Sequence, residues 1–150
     1  MKLKLPPALV ALLFGVVMWG LDQYLHSATL TFIAEQWVYR MIFGMGIGVG
    51  ILGLLQFITH QTSIDPHKPG KASILVTEGT YRFSRNPMYL ALLIVLLGFG
   101  VKLGNMLSFI IIPFFVMYMN RFQITQEEEI LREKFGVEFE NYTSQVSRWL

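Results

Sequence analysis

The chain has 150 residues, 53% of them hydrophobic and 15% charged, with a formal net charge of +2 and no cysteine. A soluble domain carries about 25% charged residues, so this composition argues against an ordinary water-soluble globule. The small net charge, with no basic tract, argues against a nucleic-acid partner, and the lack of cysteine excludes disulfides, thiolate metal sites and a cysteine nucleophile.

Lys2 and Lys4 precede a charge-free run, Leu5–Leu21, that predicts a first membrane span over about residues 5–24. The run is longer than the ~7–15 residues of a signal-peptide core. No small-x-small cleavage site follows before Asp22, so a retained helix is expected. A short loop with Asp22, Glu35 and Arg40 leads to a second charge-free run, Met41–Thr59, and a span over about residues 39–59. Within it, Gly48-Val49-Gly50-Ile51-Leu52-Gly53 has the letters of a dinucleotide fingerprint but no strand before it. Gly46 and Gly50, four apart on a helix, instead form a smooth groove that another helix can approach closely.

A polar segment, residues 60–86, separates this span from two more, about 87–102 and 104–121, drawn from the apolar runs Pro87–Val101 and Leu103–Asn120. A full crossing takes about 20 apolar residues, so the third is short. A hairpin turn around Gly100–Asn105, with Lys102 snorkelling, lets the last two spans form one antiparallel unit. The tail, residues 122–150, is polar. The expected fold is all-α: a single polytopic membrane domain, residues 1–150, with about four transmembrane helices and a C-terminal cytoplasmic amphipathic helix. That tail carries Leu131, Phe135, Tyr142, Val146 and Trp149 as one apolar stripe, interrupted near Gly136. The stripe suits either the membrane surface or a fold back over residues 60–86.

Charge asymmetry orients the chain. Lys2, Lys4, Lys68, Lys71, Arg82 and Arg85 lie at the N-terminus and in the 60–86 segment, which the positive-inside rule assigns to the cytoplasm, in a bacterium at the inner (cell) membrane. Both termini are then cytoplasmic. Trp19, Tyr24, Trp37 and Tyr39 fall at the opposite boundary, where amphipathic rings favour the interface. His26, His60 and His67 have no helical metal-site spacing, so no metal is expected. No serine elbow or phosphate-binding loop occurs. A transport pathway would call for a charge at mid-span or a broken helix, for which Pro113 is the sole candidate.

Chemistry concentrates in two stretches. In Leu75-Val76-Thr77-Glu78-Gly79-Thr80-Tyr81-Arg82-Phe83-Ser84-Arg85-Asn86-Pro87-Met88-Tyr89, Glu78-Gly79 reads as a turn and Asn86-Pro87 as a helix start. The exposed N–H groups of such a start favour an anion. Arg85 can fork two hydrogen bonds onto a carboxylate, and Tyr89 adds a ring and a hydroxyl one turn on. Equally, Arg82 and Arg85 suit ordinary anchors on lipid phosphates. In Thr125-Gln126-Glu127-Glu128-Glu129-Ile130-Leu131, Thr125 and Glu128 fit a capping box. Three adjacent glutamates cannot all face one way, so at least one can turn toward the arginines.

Taken together, Arg85-Asn86-Pro87-Met88-Tyr89-Leu90-Ala91 and Glu127-Glu128-Glu129-Ile130-Leu131, with Phe135-Gly136 downstream, resemble the isoprenylcysteine carboxyl methyltransferase and phospholipid methyltransferase superfamily of integral membrane enzymes. That family carries R-H-P-x-Y-x-G at a membrane helix start and E-E-x-x-L after its last span. The resemblance covers roughly residues 60–150. Asn86 stands in place of the family histidine and cannot change charge near neutral pH; Ala91 stands in place of a glycine and adds a methyl where the backbone would approach the cofactor.

The resemblance implies S-adenosylmethionine as cofactor, bound by Tyr81, Arg85, Asn86, Pro87, Tyr89, Glu127 and Glu128, with Arg85 and Glu128 as the catalytic pair. Glu128 is the first candidate to take a proton from an amine acceptor. The partners implied are the bilayer and a lipophilic small molecule, lipid or lipidated substrate, methylated on an isoprenylcysteine-like carboxylate or a lipid head group. The competing reading is a non-catalytic membrane scaffold or accessory subunit, for which the glycine-rich second span and amphipathic tail would serve.

Overall fold

The computed structural model describes residues 5–25, 33–59 and 74–150. The three histidines, the N-terminal lysines, Lys68 and Lys71 lie outside the described residues. Helix α1 spans Pro7–Tyr24, α2 Gln36–Thr59, α3 Pro87–Leu103, α4 Met106–Met119, α5 Thr125–Phe135 and α6 Val137–Gln145. Among the described residues no strand is present.

Proline opens two of the helices, Pro7 in α1 and Pro87 in α3, where the missing N–H has no intrahelical acceptor to lose. Gly104, at φ 67°, closes α3, its N–H donating to the Gly100 carbonyl at 3.1 Å. Asn105 then caps α4 by accepting from the Leu107 N–H at 3.0 Å. The expected hairpin is therefore two residues of turn, with Lys102 exposed beside it.

Three helical stretches are long and apolar enough to cross a membrane: Pro7–Tyr24, Gln36–Thr59 and the continuous Met106–Phe135. Pro87–Leu103 is apolar but shorter. Leu12, Val16, Met45, Ile51, Leu52, Ile110, Phe114 and Met117 all point outward and are exposed. A soluble protein rarely leaves so much contiguous apolar surface bare, whereas hydrocarbon covers it at no cost. The chain is a polytopic membrane protein.

Helix α3 forms the centre, with α2 packed along one side and α1 and α4 along the other. The glycine face of α2 makes the first contact possible. A Cβ at Gly46 would lie 2.9 Å from Val95 Cγ2 and 3.1 Å from the Ala91 carbonyl oxygen; one at Gly50 would lie 3.3 Å from Ala91 Cβ. The expected groove is thus filled by α3. On its other side α3 contributes Tyr89 and Leu96 to a core with Val10, Ala11, Met18, Ile112, Phe115, Met119 and Ile124.

The last span does not stop at its predicted end. A π-helical turn, Asn120–Ile124, carries α4 straight into α5. The extra residue in that turn rotates everything after it, a feature frequent at functional sites. Thr125 consequently lies inside a helix: its hydroxyl donates to the Asn120 carbonyl at 2.7 Å and caps nothing. The capping-box reading of Thr125 and Glu128 is corrected, because there is no helix start for them to cap. At Gly136, φ 51° and ψ −122°, the tail breaks into α6 and folds back. The stripe does not form one continuous helical face; Val146 is already extended, at φ −124° and ψ 132°.

Candidate active site

The start of α3 is held from below by α2. Gly79 takes φ +61°, and the Gln56 side chain lies over it so closely that a Cβ would fall 1.8 Å from Gln56 Nε2. Gln56 Oε1 accepts from the Thr80 N–H at 2.9 Å and from the Thr80 hydroxyl at 2.6 Å. This pins the following 3-10 turn, Gly79–Arg82, to the last turns of α2. Tyr81 is buried in that turn, its ring 5.9 Å from that of Phe57. Its carbonyl accepts from the Tyr142 hydroxyl at 2.7 Å.

From above, the C-terminal segment closes on the same residues. The Arg85 N–H donates to the Ser147 carbonyl at 3.0 Å. The Arg148 carbonyl accepts from the Ser84 hydroxyl at 3.2 Å and from Asn86 Nδ2 at 3.1 Å. Asn86 occupies the N-cap position of α3, yet its side chain makes no cap hydrogen bond. Its amide ties the tail to the helix start instead, a role that needs a donor and no change of charge. Trp149 Nε1 donates to Asn120 Oδ1 at 3.0 Å, anchoring the segment to the π turn.

The acidic run meets this helix start directly. Glu127 Oε1 accepts from the Tyr89 hydroxyl at 2.7 Å. Glu128, with a side chain only 9% exposed, pairs with Arg85 Nη2 at 3.0 Å and with Arg148 Nη2 at 2.6 Å. Arg148 Nε adds contacts of 3.0 and 3.1 Å to the two Glu128 oxygens. Glu129 is exposed. Two of the three glutamates thus turn inward and one outward, an arrangement produced by the rotation at the π turn. Buried Arg85 Nε has no hydrogen-bond partner among the described residues. An orphaned donor of this kind costs roughly 1–3 kcal/mol.

Electrostatics keeps the surrounding phenols neutral. Burial pushes the Tyr81 hydroxyl well above its ordinary value of 10.0, and the neighbouring Tyr142 and Glu127 push the same way. Burial likewise raises Tyr142, opposed by the positive charge of Arg85. Hydrogen bonding to Glu128 raises Arg148 further above its already high value, against an opposing effect of desolvation.

The structure therefore brings Tyr81, Arg85, Asn86, Tyr89, Glu127 and Glu128 to one end of the bundle, with Pro87 buried at the head of α3. The Ala91 methyl points away, toward Gly50 of α2, so the substitution is absorbed by helix packing and not by the cluster. Sequence reasoning missed Gln56, Ser84 and Arg148. The first two carry no motif. Arg148 had a signal: a cation in a chain so poor in charge, following a glutamate-rich run, calls for a partner.

The sequence model of the phospholipid methyltransferase family matches residues 7–138. The chain belongs to that family. An uncharacterised protein of Haemophilus influenzae is 44% identical over 63 residues, 42% of this chain and 100% of that protein. The protein-S-isoprenylcysteine O-methyltransferase of Schizosaccharomyces pombe is 34% identical over 79 residues, 53% of this chain and 34% of its own length. A probable protein-S-isoprenylcysteine O-methyltransferase of rice (Oryza sativa subsp. indica) is 39% identical over 85 residues, 55% of this chain and 40% of that one. The match thus spans about a third to two-fifths of these methyltransferases. No solved structure matches.

Proposed function

We propose that the chain is an S-adenosylmethionine-dependent methyltransferase acting on a lipophilic acceptor at the cytoplasmic face of the membrane. The observation that carries this reading is the buried Arg85–Glu128 pair, with one guanidinium N–H still unpartnered, beside the Tyr89–Glu127 hydrogen bond. A ligand with an amino-acid end presents a carboxylate and an ammonium, and this cluster offers a guanidinium donor and carboxylate acceptors to match. The donor set fits the cofactor that the family implies.

When bound, the cofactor supplies an electrophilic methyl group on a sulfonium. Arg85 and Glu128 hold the two charged ends of its amino-acid portion, with Tyr89 and Glu127 beside them. Tyr81, neutral and buried, offers an aromatic wall. Asn86 and Ser84 keep the tail closed over the cluster, which limits access of water. Holding reactants in an attack geometry can supply roughly 7–11 kcal/mol of a barrier, and this rigid, cross-braced helix start is suited to that task. A carboxylate acceptor, as on an isoprenylcysteine, needs no base. An amine head group must lose a proton, and both oxygens of Glu128 already accept from guanidinium groups. To act as the base, Glu128 would first give up one of those hydrogen bonds.

Placement in the membrane follows from charge. The cluster end of the bundle carries Arg82, Arg85, Arg121, Arg132, Lys134 and Arg148, and the hairpin end Arg40 and Lys102. The positive-inside rule puts the cluster, and with it both termini, in the cytoplasm, for a bacterial chain at the inner membrane. An acceptor then reaches the cluster laterally from the inner leaflet.

The test is methyl transfer from labelled S-adenosylmethionine to a total membrane lipid extract and to a prenylated cysteine, with purified chain in detergent. Incorporation into either supports the reading and names the acceptor class. Absence of incorporation together with absence of cofactor binding at millimolar concentration refutes it, and leaves the scaffold reading.

A further inference from the structure

Glu128 carries two cations at once. Arg85 reaches it from the head of α3, and Arg148 forks onto it from the C-terminal segment. The two are not equivalent. The Arg85 side chain is 13% exposed and that of Arg148 is 37% exposed. The backbone around Arg148 is fixed: its carbonyl is held by Ser84 and Asn86, the preceding carbonyl by the Arg85 N–H, and the following indole by Asn120. Only the Arg148 side chain is free to swing without dismantling the closure.

Arg85 and Arg148 together make four contacts on the two Glu128 oxygens, about the number of lone pairs a carboxylate has, so an ammonium that donates to Glu128 displaces some of them. Arg148 is the one released at least cost, because its long side chain regains water on leaving, whereas Arg85 would remain buried and uncompensated. Before a ligand arrives, Arg85 and Arg148 balance the charges of Glu127 and Glu128. Replacing Arg148 by another cation preserves that balance at the buried carboxylate. The unpartnered Arg85 Nε meanwhile offers a donor to an anion arriving with that cation.

Resting on the methyl-donor reading above, we propose that Arg148 is a displaceable counter-ion: it occupies on Glu128 the place taken by the ammonium of an incoming amino-acid ligand, so that binding exchanges an internal cation for the ligand's. Arg148 is thus a positioning residue, acting through Glu128. It keeps the buried carboxylate oriented toward α3 until the ligand replaces it.

The probe is S-adenosylhomocysteine, which keeps the ammonium and carboxylate and lacks the sulfonium, titrated calorimetrically into the full chain in detergent. Exchange predicts that Arg148→Gln binds it about five- to tenfold more tightly than the wild type, less than a full buried charge-assisted hydrogen bond because the Arg148 side chain is 37% exposed and regains water on leaving. The same variant should unfold at a lower temperature without ligand and show a larger ligand-induced rise. Arg148→Lys, which cannot fork, should fall between the two, and it carries the test if Arg148→Gln does not fold. Equal or weaker binding by either folded variant overturns the proposal, since that is what a purely structural clasp would give. Wild-type chain that binds neither S-adenosylhomocysteine nor S-adenosylmethionine overturns the methyl-donor reading and the exchange with it.

Discussion

The two ends of the bundle bury polar groups for different purposes. At the hairpin end, Asn105 donates to Asp22 Oδ1 at 3.2 Å while its own oxygen caps α4, and the Ser108 hydroxyl donates to the Met18 carbonyl at 3.5 Å. These groups satisfy one another and tie α1 to the α3–α4 turn. At the cluster end, Arg85 keeps an unpartnered N–H and Glu128 shares its charge with a half-exposed arginine. A polar cluster complete in itself stabilises a helix junction. One left incomplete, with paired charges at a helix start, is the arrangement on which the proposed ligand site rests.

That contrast can be broken from either side. The largest effect is expected at the cluster end: Arg85→Gln or Glu128→Gln should weaken S-adenosylmethionine binding about a hundredfold in calorimetry, the loss of one buried charge-assisted interaction worth roughly 1.5–3 kcal/mol. Next comes the hairpin end. Asn105→Leu removes the donor to Asp22 and the cap on Leu107, so unfolding in detergent should show a loss of about 1–3 kcal/mol, with the cofactor dissociation constant unchanged. The smallest effect is at Ala91, whose methyl faces α2. Ala91→Gly restores the family residue, and it should cost about 1 kcal/mol of stability through helix propensity while leaving cofactor affinity alone. A large change in affinity there would mean that the methyl faces the ligand after all.

Much of this architecture was legible from local chemistry. Charge-free runs marked the apolar helices because a bilayer tolerates few charges in its core. Asn86-Pro87 marked the start of α3 because proline lacks the N–H that a first turn does not need, and Gly46 and Gly50 marked a close helix contact. The motif residues came together because the arginine and glutamate stretches bound one end of the bundle. What stayed hidden depends on tertiary structure. No residue type announces a π turn, so the rotation at Asn120–Ile124 that aims Glu127 and Glu128 inward could not be read. Thr125 matched a capping pattern by letter, at a place where no helix begins. Asn86 was read as a cap, but its side chain answers to Arg148, 62 residues away. The return of the tail over residues 81–86 was one of the two readings open to its apolar stripe, but spacing along the chain did not show that it would bring Arg148 onto Glu128.

Photo-crosslinking tests most directly whether the incomplete end of the bundle is the one that takes the methyl donor. Ultraviolet irradiation of the purified chain with labelled S-adenosylmethionine, followed by peptide mapping, should place the label on segments containing Tyr81–Tyr89 or Glu127–Trp149, and excess S-adenosylhomocysteine should suppress it. Label recovered instead around Asp22, Trp37 or Asn105, or label that the competitor does not displace, would contradict the account.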